Sequence, residues 1–209
     1  LARYTLADPE MLHPVFFPVE EHQQMIRLIE ARSLLIRERT RIINELRGFA
    51  KSMGFRIPKK DAAYFHKLDR SSWPQPLNDL AWPLFDILEV IALKVKAYES
   101  GMRMLAESPA FKDDVECVRR VFGVGFICSA AFIAFLGGNY ERFVKARDVG
   151  PYLGLTPKQD QSGNINKQLG ITRKGSALLM CLLTECAQIV LKDSSPTTDL
   201  KLKGMRIFA

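Results

Sequence analysis

Residues 84–107 read LFDILEVIALKVKAYESGMRMLAE, and Leu84, Leu88, Ile91, Val95, Tyr98, Met102 and Leu105 recur in steps of four and three. With no proline inside it, this stretch predicts a helix carrying one sustained apolar stripe. Toward the N-terminus, Glu20 to about Met53 has no proline and one interior glycine, Gly48. There Ile26, Ile29, Ser33, Ile36, Thr40 and Ile43 alternate in the same steps, and Gly54 suits the helix end. Between the two stretches, Pro58, Pro74, Pro76 and Pro83, with Trp73 and Trp82, read as an irregular or short-helical connection that turns the chain back. The simplest result is a long antiparallel helical hairpin, coiled-coil-like, over residues 20–112. Its stripes can pair with each other, with a second copy of the chain, or with both. Residues 1–19 carry Pro9, Pro14 and Pro18 and read as an extended lead-in. Residues 113–192 form a second, compact region, and 193–209 a polar tail. No alternating strand pattern of useful length is present, so the expected fold class is all-α.

The 209 residues are 47% hydrophobic, enough for one or two modest cores and too apolar for a disordered chain. A formal charge of +7 favours a polyanionic partner, although many proteins of that charge bind no nucleic acid. Cys117, Cys128, Cys181 and Cys186 lie in apolar helical runs without a CxxC pair or a neighbouring histidine, and read as buried thiols of a cytosolic protein. No apolar run reaches the length of a membrane span, and the N-terminus lacks the plan of a signal peptide. The expected location is cytoplasmic, associated with the nucleoid, with no membrane partner.

The compact region holds the residues that point to chemistry. Val121-Phe122-Gly123-Val124-Gly125-Phe126 lies between two apolar helical runs and has the form of a helix-hairpin-helix. In such a turn, Gly123 and Gly125 let the backbone approach a phosphate, while N–H groups at the second helix start donate to its oxygens. The tripeptide alone favours a mere tight turn between core helices, and it is the flanking pattern of Val121, Val124, Ile127, Ala130, Ala131 and Leu136, with Phe143 beyond, that favours DNA binding. Asp160-Gln161-Ser162-Gly163-Asn164 is a polar loop between apolar segments, where the Ser162 hydroxyl is exposed and Gly163 admits close approach of a substrate. Read locally, Ser162 is an ordinary turn serine; His13, His22 and His66 all fall in the N-terminal half and offer it no triad. Lys158, Lys167, Arg173 and Lys174 flank the loop, the last two opening a helix from Gly175 to Leu191, and their clustering favours a phosphate-binding surface over a merely solvated turn. Arg27, Arg32, Arg37, Arg39, Arg41 and Arg47 form another basic group, which either contacts a nucleic-acid backbone or keeps a coiled coil soluble.

In order and spacing, the elements from Val121 to Leu191 resemble the C-terminal transposase domain of the IS110/IS116/IS902 family of insertion-sequence transposases. Arg37 to Arg47 resembles, more weakly, the family's middle helix. Asn164-Ile165-Asn166-Lys167 departs from relatives that are richer there in glycine and basic residues. The resemblance implies that Ser162 attacks a DNA phosphate and forms a phosphoserine link, with Gly123, Gly125, Lys158, Gly163, Lys167, Arg173 and Lys174 as DNA contacts. It also implies a RuvC-like α/β domain upstream, whose acidic residues hold a divalent metal such as magnesium. Leu1 is not a natural start residue, so the chain is expected to be a C-terminal piece beginning just after that domain, with no metal site or cofactor of its own and no activity alone. A structured guide RNA and assembly into dimers or tetramers are further implications. Two other readings remain: a non-catalytic helix-hairpin-helix module that binds DNA, and a helical oligomerisation protein whose charge serves solubility.

Overall fold

The computed structural model describes residues 16–162, 165–172 and 174–208. Two helices, α1 (Glu20–Ser52) and α2 (Gln75–Ala106), dominate it and pack side by side. At about 1.5 Å per residue each is roughly 50 Å long. Their direction follows from which ends meet. Met25 and Ile29 of α1 share a core with Met102 and Ala106 of α2, whereas Ile43, Leu46 and Ala50 share another with Leu77, Ala81 and Phe85. The pair is therefore antiparallel, as the two stripes imply. Glu20 and Glu21 sit in the first turn of α1, where the helix dipole favours negative charge. At the other end Gly54, at φ 72°, donates to the Lys51 carbonyl at 3.1 Å, and the Phe55 N–H reaches that of Ala50 at 2.8 Å, closing the helix in a Schellman turn.

The two cores lie at opposite ends of this hairpin. The distal one gathers Phe65, Trp73, Leu77, Phe85 and Leu88 with the end of α1, and Phe65, Leu77 and Leu88 are almost fully buried. Each such side chain contributes about 1.5–3 kcal/mol relative to exposure. Between the cores the stripe of α1 turns polar: Arg32 pairs with Glu99 at 2.7 Å, and the Arg39 Nε is buried.

The connection differs from the sequence reading at one end. Asp61 caps a short 3-10 helix, Ala62–Lys67, by accepting from the Ala63 N–H at 2.8 Å. From Gln75 onward, however, the chain is already α2, which passes through Pro83. A proline inside a helix costs roughly 3 kcal/mol. The face Leu77, Ala81, Phe85 and Leu88 is buried on both sides of Pro83, and that burial outweighs the lost hydrogen bond.

The proximal core belongs to the compact region. Helix α4 (Phe126–Leu136) packs there on α1, and helix α3 (Lys112–Arg119) and helix α6 (Ala177–Leu191) pack on α4, sharing one core with Met25 and Ile29. A one-turn helix, α5 (Val149–Tyr152), lies between α4 and α6. α4 is buried almost all round, and its small residues Ser129, Ala130, Ala131 and Ala134 let neighbouring helices come close. Two features were not expected from the sequence. Strands β1 (Pro157–Ser162) and β2 (Ile165–Ile171) form an antiparallel hairpin, and residues 199–208 of the tail form a helix, α7 (Asp199–Phe208). Lys201 of α7 is buried, its Nζ donating to the carbonyls of Lys192 and Ser195 at 2.7 and 3.0 Å. It thereby satisfies backbone groups left open beyond α6. No helix among the described residues is long and apolar enough to cross a membrane.

Candidate nucleic-acid interface

Ser162 is the last residue of β1, exposed, with Ile165 as its cross-strand partner. The segment expected to be a polar loop is thus a β-hairpin whose tip carries the serine; Gly163 and Asn164 lie outside the described residues. All of β1 is exposed. At its base the Thr172 N–H donates to the Thr156 carbonyl at 2.9 Å and the Thr172 hydroxyl to the Gly154 carbonyl at 3.1 Å, which ties the hairpin to the body.

Strand alternation decides which side chains share the serine's face. Lys158, Asp160 and Ser162 follow one another at every second position, about 6.7 Å apart. Asp160 pairs directly with Lys167, placing that lysine on the same face and diagonal to Ser162. The register slips between Pro157 and Gln159, so Lys158 lies beside an irregular step in the ladder. One hydroxyl, two ammonium groups and one carboxylate therefore project from one face of an exposed ribbon. Asp160 was absent from the sequence-derived set because its alignment with Ser162 and Lys167 depends on the strand register.

Lys174 is exposed beyond β2, and Arg173 lies outside the described residues. The helix expected to open at Gly175 begins at Ala177, with Ser176 as its N-cap: its Oγ accepts from the Leu179 N–H at 3.3 Å. Lys174 stands just before the positive end of the α6 dipole.

The two glycines of the hairpin turn have different surroundings. Gly125 is exposed at the start of α4, with φ −84° and open space where a Cβ would lie. Gly123 has φ 85°, and a Cβ there would meet Val190 Cγ2 at 2.9 Å and the Cys186 carbonyl at 3.3 Å. Gly123 therefore seats the turn against the C-terminal part of α6, and Gly125 is the glycine that faces open space. Arg119 and Arg120, read from sequence only as part of a lead-in, end α3 beside this turn and are exposed. Since Gly123 lies near Val190 and the β-hairpin joins the N-terminal end of α6, the two basic groups sit at opposite ends of that helix, about 20 Å apart.

Two nucleophilic side chains, the Cys128 thiol and the Tyr140 phenol, are held in their protonated forms. Burial and a hydrogen bond with Cys186 push the Cys128 thiol up to about 12, leaving it protonated at neutral pH. Burial also raises the Tyr140 phenol, which donates to the Asp114 carboxylate at 2.6 Å. The expectation of four buried thiols is met only by Cys128: Cys186 is half-buried, and Cys117 and Cys181 are exposed because they fall on the outward faces of α3 and α6. His22 is buried against Phe111 in the proximal core, and His13 lies outside the described residues. Among the described residues, no group of three or more His, Cys, Asp or Glu is placed to hold a metal ion, so these residues do not fit a divalent-metal site.

The six arginines of α1 do not act as one surface. Arg32 is paired with Glu99, Arg41 lies 3.6 Å from Glu38, and burial lowers the Arg39 guanidinium from its ordinary value. Arg27 and Arg37 are exposed, and Arg47 lies over the Phe65 ring at 5.5 Å.

Residues 115–201 match the model of the Transposase IS116/IS110/IS902 family, a span that includes the helical turn, the β-hairpin and α6. The chain is also similar to curated transposases. It is 27% identical over 191 residues to the transposase for insertion sequence element IS1111A of Coxiella burnetii, covering 87% of this chain and 50% of that protein. It is 25% identical over 200 residues to a probable family 20 transposase of Pseudomonas aeruginosa, covering 91% and 58%. It is 25% identical over 185 residues to the transposase for insertion sequence element IS1328 of Yersinia enterocolitica, covering 87% and 54%. The chain spans about half the length of the curated relatives it matches. Residues 115–201, with the exposed Ser162 hairpin at their centre, are a transposase domain of the IS116/IS110/IS902 family.

Proposed function

We infer that the protein of which this chain forms part cleaves and rejoins DNA strands during transposition of an insertion sequence, with Ser162 as nucleophile. The observation that carries this reading is the exposed Ser162 at the tip of a β-hairpin inside the family domain, on one face with Lys158, Asp160 and Lys167. In the cleavage step the Ser162 Oγ forms a bond to a backbone phosphorus, and the bond from phosphorus to one sugar oxygen breaks. The released sugar oxygen takes a proton, and the serine gives one up. Rejoining reverses this with a different sugar hydroxyl. A serine hydroxyl is a weak nucleophile without a base. Asp160 is the carboxylate nearest along its strand face, and Lys158 and Lys167 supply positive charge for the phosphate oxygens. The reading places a magnesium site, on acidic residues of a RuvC-like domain, outside the described residues, and no step here depends on it.

Gly125, Arg119 and Arg120 at one end of α6 and Lys158, Lys167 and Lys174 at the other would contact phosphates along a single duplex. Their separation of about 20 Å corresponds to some six base pairs. Such contacts position the backbone without reading sequence. The same reading carries a structured guide RNA, and assembly with further copies of the chain. An apolar row on the face of α2 opposite its core supports the assembly: Ile87, Val90, Leu93 and Met104 are all exposed.

The test uses the whole transposase with its DNA and magnesium. A covalent protein–DNA adduct should survive denaturation and map to Ser162. Ser162→Ala should abolish it while leaving DNA binding within about twofold, since one hydroxyl supplies little of an affinity dominated by phosphates. Ser194→Ala, at an exposed position, is the control. Ser176→Ala is unsuitable because that hydroxyl caps α6. An adduct that persists in Ser162→Ala refutes the assignment.

A further inference from the structure

At the distal end of the helical hairpin, far from the compact region, the chain builds a basic groove. Arg47 and Lys51 lie one turn apart on the last part of α1. After the turn at Gly54, residues 55–60 run back without regular structure and bring Arg56, Lys59 and Lys60 to the same concavity. With Phe55, Ile57 and Pro58 these residues line an open groove of about 1010 Å³. Ile57 is buried, and Phe55 is half-buried against Trp73 at 6.0 Å between ring centroids, so the apolar residues anchor the segment and the cations stay outside.

All five cations of the groove are exposed, and none takes part in the ion pairs found among the described residues. Lys51 has a structural account, since it sits at the negative end of the α1 dipole, and Arg47 lies against the Phe65 ring. Arg56, Lys59 and Lys60 have no comparable partner among the described residues. Like charges gathered on a concave wall repel one another and focus a positive field, whereas a surface serving solubility intersperses both signs. At about 1010 Å³ the groove is larger than a single small anion fills, and its charges come from two chain segments. Both properties suit a polymer with regularly spaced negative charge.

We propose that this groove binds the phosphodiester backbone of a nucleic acid, as a second contact at the opposite end of the hairpin from the Ser162 domain. The inference rests on the reading of the protein as one that works on nucleic acid. It adds a contact that the serine chemistry does not require.

The test compares the full chain with two variants, Arg56→Ala/Lys59→Ala/Lys60→Ala in the groove and Lys158→Ala/Lys167→Ala on the β-hairpin. Exposed Lys94→Ala/Lys96→Ala on α2 serves as control. Binding of labelled duplex DNA, single-stranded DNA and single-stranded RNA of equal length is titrated from 50 to 200 mM salt. On duplex DNA, three lost phosphate contacts should flatten the salt dependence by about 2.7 in slope, so the groove variant loses about 40-fold less affinity than the parent over that range. The strand type showing the largest difference identifies the nucleic acid. Bound nucleic acid should also shield Lys59 and Lys60, but not Lys94 and Lys96, from acetylation read by mass spectrometry. If the hairpin variant weakens binding while the groove variant matches the control, the groove proposal is overturned and the transposition reading stands. If the parent binds none of the three strands, both fall. Equal shielding by polyglutamate of matched charge would assign the groove to an acidic protein and overturn the proposal.

Discussion

Gly123 and Gly125 offer a clean separation of packing from binding, because they differ by two positions in sequence and completely in environment. Gly123→Ala puts a Cβ on a residue at φ 85°. A left-handed residue other than glycine costs about 1–2 kcal/mol. The new methyl also arrives 2.9 Å from Val190 Cγ2 and 3.3 Å from the Cys186 carbonyl. Val190 can turn part of the way aside, but the carbonyl belongs to the α6 backbone and cannot, and overpacking of this kind costs about 1–3 kcal/mol. Together the loss is about 2–5 kcal/mol, or roughly 4–20 °C in Tm for a chain of this size. Gly125→Ala meets open space at φ −84° and should shift stability by less than about 1 kcal/mol.

Thermal unfolding paired with salt-dependent DNA binding separates the two roles. Gly123→Ala should unfold early, and at temperatures where it is folded its DNA affinity should approach that of the parent. Gly125→Ala should melt within about 4 °C of the parent and bind duplex DNA more weakly, because its methyl stands where a phosphate would approach the start of α4. If Gly123→Ala melts within about 1 °C of the parent, the turn is not seated on α6 and the packing argument is wrong.

Two further outcomes are expected. Burial is the main cause that lowers the His22 imidazole below its ordinary 6.5, against smaller opposing effects of Glu21 and Asp114. The unfolded chain therefore binds the proton first, and stability should fall as pH drops below about 6.5, by at most about 1.4 kcal/mol per pH unit until the folded-state value is passed. His22→Phe should flatten urea-melt midpoints across pH 5–7, and an unchanged slope would clear His22 of responsibility. For the apolar row on α2, Leu93→Glu should lower the mass measured by sedimentation if copies of the chain associate through that face, and an unchanged oligomer would exclude it.

The helical hairpin was legible because each stripe repeats over many turns, and a long repeat survives isolated exceptions. Pro83 shows the limit of local rules. Proline was read as an end to helix, but whether a helix stops there depends on whether its apolar face stays buried on both sides, and Leu77 and Phe85 keep it so. The β-hairpin gave no sequence signal for the opposite reason. PKQDQS of β1 is polar at every position after Pro157 and exposed on both faces, so no alternation marks it as a strand. The helix of the tail was obscured similarly, by a short span that follows a Ser, Pro and Thr run.

The candidate site was legible only in part, and the boundary falls where local sequence stops controlling geometry. Ser162 was found through the order of motifs around it, whereas Asp160 enters only once pairing with Lys167 fixes which side chains share its face. Gly123 and Gly125 looked equivalent because nothing in a Gly-Val-Gly turn says which glycine a distant helix will cover. That was settled by Cys186 and Val190, more than sixty residues along the chain. The same holds for charge. The arginines of α1 read as one row, but α2 draws Arg32 to Glu99 and leaves Arg47 at the distal groove beside lysines from another segment. Composition tells how much positive charge the chain carries, and tertiary packing decides which of those charges are left without partners for a phosphate.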